Sequence, residues 1–270
     1  MTDRMIHTEL PVTALSHPQD PTRVVVLMPG LGTAVTGTWD AAAQHLDPHA
    51  LVIALDLPGH GRSPAWDTSR TEPTIAALAR AVDAAVSAEL QRTGTSGLPV
   101  HFAGISLAGA VSLQLALSHS DTFTSAAVIC SAAKIGQPTV WADRAAAVRA
   151  HGTAHLEEGS VSRWFAPDFP AANQSSVEAL TTALREADAE SYALLCQALG
   201  EFDLTDRLSE LPIPIAAVAG EYDLITPPQQ AEALAAAAPD ARVHILPGAA
   251  HQGPTEKPAE VAALLNDFFA

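Results

Sequence analysis

The chain has 270 residues, 48% apolar and 16% charged, which excludes a disordered protein and allows one large domain or two small ones. Its 14 basic and 30 acidic side chains give a formal charge of −16, so nucleic acid and anionic membrane surfaces are poor partners. No stretch reaches the ~20 apolar residues of a membrane span.

Asp3 and Arg4 lead into no apolar signal-peptide core, so a cytoplasmic protein is expected. Residues 5–16 read as an antiparallel strand pair. Short apolar runs then recur at 24–28, 51–55, 100–103, 126–129, 215–219 and 243–246, each closed by Gly, Pro or Asp. Nearly continuous apolar runs are the mark of strands buried on both faces, hence of a parallel sheet. Residues 74–92 place Ile75, Leu78, Val82, Val86 and Leu90 at helical spacing. Residues 227–238 and 256–269 are Ala-rich and amphipathic, with Pro227 and Pro228 able to open the first. The alternation predicts an α/β fold: a mostly parallel central sheet with helices on both faces.

Between Cys130 and Pro212 the rhythm breaks. Residues 141–150, 177–187 and 189–199 read as helices, with no convincing strand among them. Residues 131–211 are therefore expected to form a helical cap inserted into a core made of residues 1–130 and 212–270. Such a cap would cover the C-terminal edge of the sheet, where open α/β sheets bind ligands. Cys130 and Cys196 form no CxxC pair and read as reduced core thiols.

The strongest local signal is Gly104-Ile105-Ser106-Leu107-Ala108-Gly109, after a predicted strand and opening a predicted helix. A sharp turn there exposes the serine hydroxyl, and small neighbours keep strand and helix from colliding. A serine needs a base, because its hydroxyl is barely ionised at neutral pH. Asp223 follows the strand at 215–219 and His251 follows the strand at 243–246, giving the chain order serine, acid, histidine. Glu221 is the rival acid. Gly30-Leu31-Gly32 follows the strand at 24–28 and is placed to supply an oxyanion donor through the Leu31 amide, with the Leu107 amide as the second. The same glycines lack the P-loop lysine and the third Rossmann glycine, so no phosphate loop is read there.

The sequence holds 11 histidines, so the others need weighing. His60, in Gly59-His60-Gly61-Arg62-Ser63, reads as a loop-shaping residue. His101 and His244 fall in predicted strands and read as satisfied core residues. His151 and His155 have i,i+4 spacing but no third ligand at a diagnostic offset, so they read as a solvated face and no metal is expected.

Together these motifs resemble the α/β-hydrolase superfamily, and within it the 3-oxoadipate enol-lactonases. Gly30-Leu31-Gly32-Thr33 with Trp39-Asp40, the Gly59–Ser63 loop and the Ser106 turn are shared across the superfamily. More discriminating are Ser131-Ala132-Ala133-Lys134-Ile135-Gly136, then Val140-Trp141, Arg144 and Val148-Arg149, then Arg163-Trp164-Phe165 and Tyr192. The family usually has Ser-Met-Gly-Gly where this chain has Ser106-Leu107-Ala108-Gly109, and commonly Asn-Ser-Leu-Gly-Thr at the loop holding Gly30.

The resemblance implies a serine hydrolase that opens a small carboxylate-bearing lactone, 3-oxoadipate enol-lactone, in aromatic degradation through the β-ketoadipate pathway. It implies Ser106, Asp223 and His251 as catalytic residues and no metal or organic cofactor. Trp141, Arg144 and Trp164 are the candidate substrate-binding residues, with Lys134, Arg149 and Arg163 as further cations for the substrate carboxylate. The implied partner is a small lactone or ester; a homo-oligomer is compatible with the family. A general carboxylesterase, a cofactor-free perhydrolase of the same fold and a non-catalytic ligand sensor are the alternatives.

Overall fold

The computed structural model describes residues 9–270, and seven strands form a single sheet: β1 (Val12–Ala14), β2 (Arg23–Met28), β3 (Ala50–Leu55), β4 (Val100–Ile105), β5 (Ser125–Ile129), β6 (Ile215–Gly220) and β7 (Ala241–Leu246). The spatial order is β1-β3-β2-β4-β5-β6-β7. Only β1 is antiparallel, against β3. The helices in chain order are α1 (Val35–Thr38), α2 (Asp40–Ala43), α3 (Ile75–Thr93), α4 (Leu107–Ser118), α5 (Pro138–His151) and α6 (Glu157–Trp164). They continue as α7 (Phe169–Ala172), α8 (Gln174–Glu186), α9 (Ala189–Glu201), α10 (Pro228–Ala237), α11 (Gly253–Glu256) and α12 (Pro258–Phe268).

Apolar side chains alternate across the sheet, as a strand's period of two requires. On β2, Val24, Val26 and Met28 join a core with Leu78 and Val82 of α3, Val111 of α4 and Leu234 of α10. Val25 and Leu27 point the other way, onto Trp39, Ala42 and, from α12, Val261 and Leu265. Helix α3 is bounded by its own sequence: the Thr74 hydroxyl accepts from the Ala77 amide at 3.1 Å, and Gly94 ends the helix at φ 71°.

Of the expected N-terminal pair the described residues hold one strand, β1, bonded to β3; residues 1–8 lie outside them. Three sequence expectations need correction. The helix expected over 256–269 is two, α11 and α12, because Lys257 is non-helical (φ −133°, ψ 55°) and Pro258 restarts the chain. β7 is an edge strand with Arg242, Val243 and His244 exposed. His244 is therefore a surface residue 3.7 Å from Glu260, not core. His101 is buried, but only its Nδ1 is bonded, to Ser125 Oγ at 2.9 Å and Thr124 Oγ1 at 3.3 Å; Nε2 has no partner among the described residues.

Between β5 and β6 the chain runs only through helices and short turns, α5 packing along α9. This insertion is tied to the sheet loops at several points. The Asp188 amide donates to Gly59 O at 2.8 Å, and the Trp66 amide to Ser191 Oγ at 2.9 Å. No helix among the described residues is long and apolar enough to cross a membrane.

The strand order reverses between β2 and β4, and ligands of open α/β sheets collect at such a switch point. Register brings the loops there together. Met28 lies opposite Gly104, so Gly30 and Ser106, each two residues on, meet at the C-terminal edge. Gly220 lies opposite Leu246, so the loops carrying Asp223 and His251 leave the sheet side by side.

Candidate active site

Ser106 sits between β4 and α4 with φ 57° and ψ −118°, a left-handed backbone that a non-glycine residue adopts only when its surroundings impose it. Its amide donates to Ile129 O at 2.8 Å, and Ser131 Oγ donates to its carbonyl at 2.7 Å. Side chains are excluded on either side of the turn. A Cβ at Gly104 would overlap the Ala108 carbonyl, and one at Gly109 would overlap Ser131. Gly104 thus lets β4 and α4 touch, and Gly109 lets α4 pass Ser131 after β5, while the Ala108 methyl packs into the buried core. Ser106 Oγ makes no side-chain capping bond to α4.

Asp223 is almost fully buried and every lone-pair direction is used. Oδ1 accepts from the Ile225 and Thr226 amides at 2.8 and 3.0 Å; Oδ2 accepts from Thr226 Oγ1 and His251 Nδ1, each at 2.8 Å. Burial alone pushes this carboxyl up, but His251 and the Thr226 donors outweigh it and hold it below the ordinary range. An ionised carboxylate only accepts, so the proton between the two groups sits on Nδ1 of His251. Glu221 is exposed and accepts from the Gly248 amide at 2.8 Å instead, away from the imidazole. The third link, Ser106 Oγ to His251 Nε2, is not closed as a hydrogen bond, a looseness common before substrate tightens a site.

The loop after β2 approaches Ser106 closely. A Cβ at Gly30 would lie 3.1 Å from Ser106 Cβ and 3.7 Å from its Oγ. The Leu31 and Leu107 amides have no intramolecular hydrogen bond among the described residues. His60 holds this loop: Gly32 N–H donates to its Nε2 at 3.1 Å, while Nδ1 donates to Pro58 O at 2.9 Å. Accepting at Nε2 requires the neutral ring, and burial keeps its pKa below the ordinary value. The loop-shaping role read from the sequence thus has a definite geometry.

The insertion faces this loop. A Cβ at Gly32 would meet Leu184 Cδ1 at 2.7 Å, Tyr192 Cε2 at 3.2 Å and Trp164 Cζ2 at 3.7 Å. Arg144 Nη1 donates to Tyr192 Oη at 3.5 Å, and its guanidinium lies 5.6 Å from the Trp141 ring centroid. Trp141 itself donates to Ile135 O at 2.5 Å and is half-buried. Burial first, and then the Arg144 charge, hold Arg163 below the usual arginine range. Burial pushes the Tyr192 hydroxyl up to about 12, so it stays a neutral donor.

The other cations are neutralised away from the site. Lys134 pairs with Asp203 at 2.9 Å and Arg149 with Glu190 at 2.7 Å. Neither Arg144 nor Arg163 has a carboxylate partner among the described residues; Arg163 Nε donates only to Gly159 O. The sequence reading missed Glu256, whose buried carboxylate reaches the histidine loop. Its only signal was an acid five residues after His251 and ahead of Pro258, which looks like an ordinary first-turn acid.

Among known proteins, the sequence profile of the alpha/beta hydrolase family matches residues 25–264. 3-Oxoadipate enol-lactonase 1 of Acinetobacter baylyi is 30% identical, the match covering 75% of this chain and 72% of that one. 3-Oxoadipate enol-lactonase 2 of the same organism is 32% identical over 73% and 70%. The crystal structure of the enol-lactonase from Burkholderia xenovorans LB400 superposes with a TM-score of 0.86, at 27% identity and with 96% of each chain covered. A parallel sheet with a strained serine after its central strand, and a profile match over nearly the whole chain, lead to one assignment: the chain belongs to the α/β hydrolase family.

Proposed function

We propose that this hydrolase of ester or lactone bonds works through a serine nucleophile on a small lactone bearing a carboxylate, 3-oxoadipate enol-lactone. The observation that carries the mechanism is the His251 Nδ1–Asp223 Oδ2 bond of 2.8 Å behind a serine held at φ 57°. The enol-lactonase relatives support the substrate class. The helical insertion, residues 131–211, then acts as the cap over the site.

In this reading His251 Nε2 takes the Ser106 proton as Oγ attacks the ring carbonyl. The oxyanion is held by the Leu31 and Leu107 amides; one such donor contributes ~3–4 kcal/mol to transition-state stabilisation. The C–O ring bond breaks, its oxygen leaves as an enol that takes the proton from His251, and the enol becomes a ketone. His251 then deprotonates a water, which displaces Ser106 and releases the acid, so the sum is lactone plus water giving the keto-diacid. No redox change occurs: the Ser106 proton ends on the product, and the proton taken from water passes through His251 back to Ser106 Oγ.

Arg144 and Arg163 supply the positive charge that a carboxylate substrate needs in a strongly acidic protein, with Tyr192 as a neutral donor beside them. Trp164 walls the site against Gly32, and Trp141 backs Arg144. The test is ultraviolet loss of 3-oxoadipate enol-lactone, with p-nitrophenyl acetate alongside, for wild type and Ser106→Ala. Rapid lactone loss abolished by the substitution is the expected result. Ester turnover without lactone turnover would keep Ser106 and discard the lactone. Turnover of either substrate undiminished in Ser106→Ala would discard the serine mechanism.

A further inference from the structure

His251 lies on a loop with little regular structure of its own, yet its backbone is held from three directions. From the insertion, Trp164 O accepts both the His251 amide at 3.0 Å and the Gln252 amide at 2.9 Å. From below, the Cys130 thiol reaches Ala250 O at 3.6 Å, at the end of β5 where Cys130 itself is left-handed (φ 45°). From α11, Glu256 Oε1 accepts the Ala250 amide at 2.8 Å while Oε2 accepts the Ala166 amide at 2.7 Å. One buried carboxylate therefore joins the residue before the imidazole to the residue two after Trp164.

We propose that Glu256 is a positioning residue: it clips the His251 loop to the Trp164–Ala166 segment, so the imidazole is aimed only while that segment of the insertion is seated. The proposal rests on His251 being the base of a serine hydrolase. Ala166 belongs to the insertion, Ala250 to the sheet side, and no other side chain among the described residues bridges amides of both.

The choice of a carboxylate is informative. Burying it is costly, and burial pushes its pKa up even against the Ala166 and Ala250 amides and the nearby His251. A residue kept only for packing would be apolar here. A carboxylate instead gives two charge-assisted bonds from one rigid plane, which fixes both loops to a common frame. The charged groups facing the imidazole are Asp223 from the β6–α10 loop and Glu256 from α11, with the buried Cys130 thiol behind them, un-ionised because burial raises it well above its usual value.

Glu256→Gln keeps the shape but turns one acceptor into a donor facing a backbone N–H. The expected result is a fall in kcat for p-nitrophenyl acetate of about 10-fold or more, with KM changed less than about twofold, the pattern of a displaced reacting group. The low-field proton signal of His251 Nδ1–H, identified by its absence in His251→Gln, should broaden or vanish in Glu256→Gln. A purely structural role would lower Tm and leave both that signal and the activity per folded molecule in place, which would overturn the proposal. A second measurement needs no variant. In wild type, hydrogen exchange at the Ala166 and Ala250 amides should be slowed together, and fast exchange at either one overturns the clip. A fluorophosphonate probe separates the two layers: wild type left unlabelled would sink the serine reading and the clip with it. Labelling equal in rate for wild type and Glu256→Gln would sink the clip alone.

Discussion

At the C-terminal edge of the sheet, Asp223 accepts four hydrogen bonds and leaves nothing open. Across from it, in the insertion, Arg144 and Arg163 have no carboxylate partner among the described residues. The first arrangement is complete without a ligand and fixes geometry. The second is a local surplus of positive charge in an acidic chain and gains from an anion. Under the proposed function, orientation chemistry belongs to the sheet side and substrate choice to the insertion. That division holds only if variants in the two regions fail in different ways.

The largest effect is expected at Asp223→Asn. The amide can still accept from Ile225 and Thr226, but it presents N–H to His251 Nδ1 and favours the wrong tautomer. kcat for p-nitrophenyl acetate should fall by about 10³–10⁴-fold, with the circular dichroism spectrum retained. A fall of less than about 10-fold would remove the imidazole–carboxylate pair from the chemistry.

Next is His60→Leu, which strands the Gly32 amide that His60 Nε2 now accepts. A buried unsatisfied N–H costs about 1–3 kcal/mol, so the loop should shift and kcat fall by about 10–100-fold, with KM little changed. An unaltered kcat would dissociate the loop after β2 from the oxyanion.

Arg144→Gln and Arg163→Gln should act on the other side of the division. Each should raise KM about 10-fold for a carboxylate-bearing lactone, the worth of one charge-assisted hydrogen bond, and leave a neutral ester within about twofold. Equal losses for charged and neutral substrates would make these arginines structural and erase the contrast between the regions.

The same contrast runs through what the sequence made legible. The apolar runs of β2 to β6 were readable because they are buried on both faces, and the Ser106 turn because Gly104 and Gly109 leave room only for bare backbone there. β7 was read as core because Val243 and Ile245 are apolar, but nothing in a sequence says that a strand is last in its sheet. In the insertion, Lys134 and Arg149 were as good candidates as Arg144, because pairing with Asp203 and Glu190 depends on residues 41 to 69 positions away. Glu256 was invisible for the same reason: its partner Ala166 is 90 residues distant and contributes only backbone.

The smallest effect concerns stability, and it also separates the regions. His101 lies on β4, stacked on Phe269 at 4.7 Å, and burial, aided by Arg23, pulls its pKa down to about 4 from an ordinary 6.5. Below pH 6.5 the unfolded chain takes up a proton that the folded ring refuses, so stability present above 6.5 is lost as pH falls towards 4. The full span corresponds to about 3 kcal/mol, less what solvent screening removes, or about 3–6 °C in Tm for a chain of this size. His60 acts in the same direction, since burial lowers it too. Wild type should therefore lose Tm between pH 7.5 and pH 5, and His101→Leu should lose less by a few degrees. The ion pairs of the insertion, such as Arg149 with Glu190 and Arg185 with Glu157, are largely solvent-facing and contribute little to this slope. An identical slope in the variant would move the acid sensitivity off the sheet, where the buried neutral ring places it.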